Sequence, residues 1–356
     1  MAVAVEDVRA VRAPGAAAVR SVLLVRLSAM GDVVQALGAV EALHRTRPDW
    51  RLTFVTQPVS APLLRGVPGI GRVVEFARHA GLRGLRDLRR DLRADDYDLA
   101  LDLQGNWKSA LVARLASARE VIGMGGAWRQ EPWSRLLLHR AIAGVDAVEP
   151  HPAHAAWLLV RALVAEAPFL PPRLVATEAE ILAERRALQD VGIQAERPFV
   201  VIVVTDPADP RALRPPAIVA AVQAAGLPAL CVAGPAEAAL AIDYGVPVLR
   251  HGRGEVRRLI ALGTLVAAVG GRVLGPDQGA SHVLAAAGAP TRVVFGAQDP
   301  RRTAPPAATV VVHREPPSCS PCRRRSCAHR DGVVCMPKTA AEERVVATGL
   351  PPFAAR

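Results

Sequence analysis

The chain has 356 residues, of which 51% are apolar, 22% charged and only 4% aromatic. That is enough for two ordinary domains, each with a core of its own, whereas apolar runs such as Phe199 to Val204 fall far short of the roughly 20 residues needed to span a membrane as a helix. A formal net charge of +11, from 44 Lys+Arg against 33 Asp+Glu, favours phosphates or an anionic lipid surface as partners. Few aromatics, scattered arginines and no visible recognition module argue against nucleic acid. An Ala- and Arg-rich composition also arises from genomic base bias alone.

Residues 1–20, MAVAVEDVRAVRAPGAAAVR, mix Ala and Val with charges and lack the continuous apolar stretch of a secretory signal. They read as a flexible leader, and the protein as cytoplasmic. From there short β-rich runs alternate with helical patterns, which is the grammar of parallel sheets built from βαβ units. In the first half the predicted strands are 21–26, 51–56, 72–76, 99–103 and 120–124. Behind the first of them, Val33, Val34, Leu37 and Val40 form one stripe of a helix beginning near Asp32. The stretch from Gly123 to Ala147 starts Gly-rich, carries Trp128 and Trp133 and passes into a helical run, SRLLLHRAI; it reads as an excursion covering a cleft. The proline-rich break APFLPP (167–172) marks the domain boundary and gives domains 21–168 and 169–356. In the second half the predicted strands are 199–204, 229–234, 246–251, 265–270 and 291–296.

In open parallel sheets, ligands bind outside the carboxyl ends of the strands, where turns lead into helix N-termini with unsatisfied N–H groups. Two segments have that form, LVRLSAMGD (24–32) and GPDQGASHVLAAAGAPTRVVFGAQDP (275–300), one in each half. The expected site is therefore a cleft between two domains. A NAD-dependent oxidoreductase fares poorly, because no clean G-x-G-x-x-G follows the first strand.

VRLSAMGDVVQALGAVEAL resembles the opening of the ADP-heptose:lipopolysaccharide heptosyltransferases, glycosyltransferase family 9, with their Ser-x-x-Gly-Asp turn. YDLALDLQGNWKSALVARL (97–115) is similar to the family's mid-domain strand and turn. The segment 275–300 resembles its Asp-x-Gly-x-x-His-x-x-Ala-Ala pattern followed by Phe-Gly and Asp-Pro. VAGPAEAALA (232–241) and a C-terminal Cys cluster add two further matches, and the ordered set spans roughly residues 21 to 340.

The resemblance implies an α/β fold of GT-B type, two Rossmann-like domains with parallel sheets facing across a cleft, the first for the acceptor and the second for a nucleotide-sugar donor. It implies an inverting, metal-independent glycosyltransferase that moves heptose or a related sugar from ADP-heptose to a lipopolysaccharide core or related surface-glycan acceptor, with no cofactor required. Such a reaction needs a base for the acceptor proton and stabilisation of the departing diphosphate. By position alone Asp32 reads first as a helix cap or dipole partner; its match to the family's turn aspartate reverses that and makes it the candidate base. For the donor, backbone N–H groups of Gln278, Gly279 and Ala280 would cradle phosphate oxygens, Asp277 would meet sugar hydroxyls, and His282 would add a supporting contact. Glu237 would accept from ribose hydroxyls, and Ser28 would touch phosphate or sugar. Lys108 and Arg129 are candidates for acidic acceptor groups. A lipid-linked acceptor would also bring a peripheral contact with the inner face of the membrane.

The chain departs from the family beside the donor phosphates. Where a Lys-x-Trp-Pro-like stretch is usual, it reads VTDPADPRALRPPAIV (204–219), so that Arg211 or Arg214 would have to supply the missing charge. A noncatalytic or weakly active nucleotide-sugar or glycan-binding relative is the alternative reading. Four of the five cysteines fall as Cys319-x2-Cys322-x4-Cys327-x7-Cys335. That set fits a structural zinc site, reduced thiols kept reactive by Arg323 to Arg325, or disulfides. Cys231 sits alone in a predicted buried strand.

Overall fold

A computed structural model describes residues 19–145, 150–237, 240 and 242–351. The reading of residues 1–18 as a leader lies outside the described residues. The chain divides into two compact units, Met1–Pro172 with Pro351–Arg356, and Arg173–Leu350.

The first unit runs β1 (Ser21–Val25), α1 (Met30–Thr46), β2 (Arg51–Thr56), β3 (Ile70–Glu75), α2 (Gly81–Leu92), β4 (Leu99–Asp102), α3 (Trp107–Leu115), β5 (Glu120–Met124), β6 (Arg140–Ile142) and α4 (Pro152–Arg161). Its strands lie in the order β3-β2-β1-β4-β5-β6, all parallel. A strand covered on both faces needs apolar side chains on both, and every residue of β1 is buried. Leu23, Val25, Ala100 and Val121 of the sheet pack with Leu88 and Leu92 of α2 and with Val112 and Ala113 of α3. Val33, Val34, Leu37 and Val40 bury the expected stripe of α1, which packs on α4. SRLLLHRAI is not a helix. Residues 132–137 form a 3-10 turn, with Ser134 Oγ donating to the Glu131 carbonyl, and Arg140–Ile142 joins the sheet beside β5.

The second unit runs α5 (Glu178–Asp190), β7 (Val200–Val203), α6 (Pro215–Ala225), β8 (Ala229–Ala233), β9 (Val248–Arg250), α7 (Val256–Ala268), β10 (Arg272–Pro276), α8 (Gly279–Ala286), β11 (Thr291–Phe295), α9 (Pro300–Thr303), β12 (Thr309–His313) and β13 (Glu343–Val346). The order is β13-β12-β11-β10-β7-β8-β9, parallel except for β13, which runs antiparallel to β12. The strand expected at 265–270 is instead the end of α7 and the turn after it. Leu259, Ile260, Leu262, Leu265 and Val266 are all buried there, because α7 packs against both α5 and α8. The strand itself is RVLGP, at 272–276.

Both sheets place their sites by the same rule. The chain lays down strands outward in one direction and then restarts on the other side of its first strand, leaving a switch point between β1 and β4 and another between β7 and β10. The turns that leave those strands diverge there, and open a crevice at the carboxyl ends.

Candidate functional site

At the first switch point Asp32 is the third residue of α1. Its Oδ2 accepts from the Ala29 backbone N–H at 3.1 Å and from Arg26 Nη2 at 2.5 Å, while the carboxylate keeps 26% exposure. Its Oδ1 has no partner among the described residues. One oxygen thus serves the helix start and the Arg26 pair, and the other is left as a spare acceptor. Arg26 is itself pinned, its Nη1 donating to the Leu103 carbonyl at 2.6 Å. The turn between β1 and α1 is held from across the switch point by Gln104, whose Oε1 accepts from Leu27 N at 2.7 Å and Ser28 N at 3.2 Å. Ser28 is half-buried and its hydroxyl has no partner among the described residues.

The two acceptor candidates part company. Lys108 is exposed on the first turn of α3, its Nζ 5.6 Å from the Trp107 ring centroid. A cation there opposes the helix dipole, so it does not stand there to hold the helix. Arg129 is fully buried and does not face a ligand. Its guanidinium donates to Asp102 Oδ2 at 3.0 Å, Ser134 Oγ at 2.9 Å, the Met124 carbonyl at 3.1 Å and the Asn106 carbonyl at 3.3 Å. It braces the turns after β4 and β5.

At the second switch point the groups bond one another. Gln278, the residue before α8, donates from Nε2 to Thr205 Oγ1 at 2.8 Å, and Thr205 donates to Glu237 Oε1 at 3.3 Å. Asp277 Oδ2 accepts from Thr303 Oγ1 at 2.9 Å, and its Oδ1 lies 3.3 Å from His282 Nε2. Gly279 and Ala280 open α8, where helix geometry gives the first N–H groups no carbonyl to reach. Gly275 lets this turn close: a Cβ there would sit 2.3 Å from Ser281 Oγ, which donates to the Pro276 carbonyl. Of the two arginines proposed for the missing charge, only Arg211 enters the network, through Nη1 to the Asp277 carbonyl at 3.3 Å. It also grips Asp209 through Nη2 at 2.6 Å and Nε at 3.0 Å. Burial alone would push the Asp209 carboxyl up, but the bonds from Arg211 outweigh it and hold the group below the usual carboxylate range. Arg214 turns back onto the Ala212 and Asp209 carbonyls and braces its own loop.

The glycosyltransferase family 9 (heptosyltransferase) model matches residues 85–208 and 257–331. The chain belongs to glycosyltransferase family 9. The lipopolysaccharide core heptosyltransferase OpsX of Haemophilus influenzae is 24% identical over 302 residues, covering 80% of this chain and 82% of its own. Among solved structures, a family 9 glycosyltransferase from Veillonella parvula superposes with a TM-score of 0.69 at 17% identity, over 82% of this chain and 85% of its own. The E. coli heptosyltransferase WaaC, solved with ADP and with ADP-2-deoxy-2-fluoro heptose, gives a TM-score of 0.59 at 21% and 20% identity. These matches cover 82% of this chain and 90% and 92% of WaaC. These likenesses fix the fold as the two Rossmann-like domains of GT-B.

In this family 9 enzyme no three of His, Cys, Asp and Glu group as metal ligands among the described residues, and all five thiols are free. Cys335 is buried beneath the turn after β11, where a Cβ on Gly296 would sit 2.9 Å from its Sγ, while Cys319 and Cys327 are exposed. Burial, with the neighbouring cysteines, pushes the Cys335 thiol up to about 11, and burial pushes Cys231 up to about 12, so neither is an activated thiolate. Arg323 spends its charge on Asp299, at 3.2 Å. The sequence reading does not single out Arg26, Gln104, Thr205 or Thr303. Each lies within or beside a family motif, but only the fold shows that its side chain reaches a site residue.

Proposed function

We propose that this glycosyltransferase moves heptose, or a closely related sugar, from ADP-heptose to an acceptor hydroxyl of the lipopolysaccharide core at the inner face of the membrane, with inversion and without a catalytic metal. Asp32 Oδ1 takes the proton of the attacking hydroxyl as the new glycosidic bond forms. Arg26 keeps the carboxylate aimed and Ser28 borders it. As the bond from the anomeric carbon to the diphosphate breaks, negative charge grows on ADP; the N–H groups of Gln278, Gly279 and Ala280 at the start of α8 and the Arg211 guanidinium receive it. Asp277, held by Thr303 and His282, accepts from sugar hydroxyls, and Glu237 from the ribose. Lys108 meets acidic groups of the acceptor.

The observation that carries this reading is the half-used carboxylate of Asp32, clamped through one oxygen and open at the other. The ADP-2-deoxy-2-fluoro heptose named with WaaC and the lipopolysaccharide core in the name of OpsX support the substrates chosen. The test is release of the matching nucleoside diphosphate from ADP-heptose, UDP-glucose and GDP-mannose with heptose-deficient core lipopolysaccharide in detergent. ADP-heptose should be consumed only when acceptor is present and should raise the melting temperature, because it binds the folded form alone. Turnover of another nucleotide sugar in its place would overturn the donor assignment.

A further inference from the structure

We infer that the carboxyl-end rim of the first sheet docks the enzyme on an anionic lipid surface, with Trp107, Trp133 and Leu136 entering the headgroup region. Among the described residues, the exposed large apolar side chains of the first unit are Val59, Leu82, Trp107, Trp133 and Leu136, with Leu82 and Leu136 both 84% exposed and Trp133 58%. They are not scattered. Each lies on a segment that leaves the carboxyl end of a strand: Val59 after β2, Leu82 after β3, Trp107 after β4, and Trp133 after β5, with Leu136 further along that last segment on its way to β6. Because the sheet is wholly parallel, those ends lie along one side of it. Singly exposed hydrophobes need no explanation, but a set gathered on one rim does.

Cations accompany the apolar groups. Arg83 follows Leu82, Lys108 follows Trp107 and Arg135 precedes Leu136; all three are exposed and none has an ion pair among the described residues. Indole rings beside uncompensated cations match the polar–apolar boundary of a bilayer, where tryptophan sits at headgroup level and each basic group gains from anionic lipid. Asp32 stands on the same rim, so docking would turn the base toward the membrane. The inference rests on the reading of the acceptor as membrane-anchored.

Flotation with vesicles of phosphatidylglycerol and phosphatidylcholine, free of acceptor, tests the surface apart from the reaction. The wild-type enzyme should float with these vesicles but not with pure phosphatidylcholine. Trp133→Ser/Leu136→Ser should lower partitioning about tenfold or more, and Arg83→Glu/Arg135→Glu should lower it further at low salt. All four positions are exposed, and equal melting temperatures would show that the variants fold. Brominated lipid should quench wild-type tryptophan fluorescence, but not that of Trp107→Phe/Trp133→Phe. Turnover of detergent-dispersed acceptor should stay near wild type in the serine variant. Wild-type enzyme that stays with the pellet, or flotation unchanged in both double variants, would overturn the inference. So would self-association in solution that the serine substitutions abolish without any vesicle binding, because the rim would then be a protein interface.

Discussion

Arg26–Asp32 and Arg129–Asp102 are both arginine–aspartate pairs at the carboxyl ends of neighbouring strands, at 2.5 and 3.0 Å. Asp102 is sealed: both its oxygens are taken, one by Arg129 and the other by the N–H groups of Gln104 and Gly105, and no part of either side chain meets solvent. Asp32 gives one oxygen to its arginine and its helix and keeps the other. The contrast teaches that an ion pair does not by itself mark a site. What matters is how many acceptor positions the surrounding turns leave unfilled.

The most direct way to break the comparison is to neutralise each aspartate in turn. Asp32→Asn should cut turnover by about 10²- to 10⁴-fold while donor affinity hardly moves and stability falls less than at Asp102, because Asp32 is partly exposed where Asp102 is not, as read by ADP release and ligand-induced thermal shift. Asp102→Asn should do the reverse, costing about 3–5 kcal/mol by leaving Arg129 buried without its counter-charge, with near-normal turnover in the protein that remains folded. Urea denaturation reads that loss. A variant at Asp102 with unchanged stability and lost turnover would make the sealed pair the catalytic one.

A second test sharpens the picture of a closed interior around Arg129. His154 packs 5.4 Å from the Trp128 ring and is buried, which lowers its pKa from 6.5 to about 4. Below about pH 6.5 the unfolded chain takes up this proton and the native one does not, so stability should fall as pH drops from there to about 4, by an amount of order 3 kcal/mol. His154→Leu should flatten that part of the profile of urea midpoint against pH. The smallest effects belong to the donor side. Arg211→Ala should raise the donor KM about tenfold, as expected for loss of one charge-assisted contact. Asp209→Asn, which frees Arg211 from its carboxylate, should lower the donor KM a few-fold.

Much of this fold is readable along the chain, because a buried parallel strand such as SVLLV writes its burial on both faces as an unbroken apolar run. The same property explains the error at 265–270. A helix covered nearly all round, as α7 is, writes an apolar run too, and period alone does not separate the two. RVLGP escapes notice because it is short and ends in Gly-Pro. In the sites, the turn residues Asp32, Asp277 and Gln278 are legible from their motifs, but their supports are not. Nothing in the local sequence links Gln104 to Leu27, or Thr303 to Asp277. Arg129 reads like any exposed arginine. The one clue is Asp102, an acid closing an apolar strand, which has to find a partner if it is buried.

The antiparallel β13 has a consequence for the solubility of shortened forms. It covers the outer edge of β12 and is fastened there by the ion pair of Arg292 with Glu343. A chain cut before Glu343 would leave the amides and carbonyls of Thr309 to His313 as an open template for other molecules to add to. Such truncations would be lost to aggregation before any question of catalysis arose.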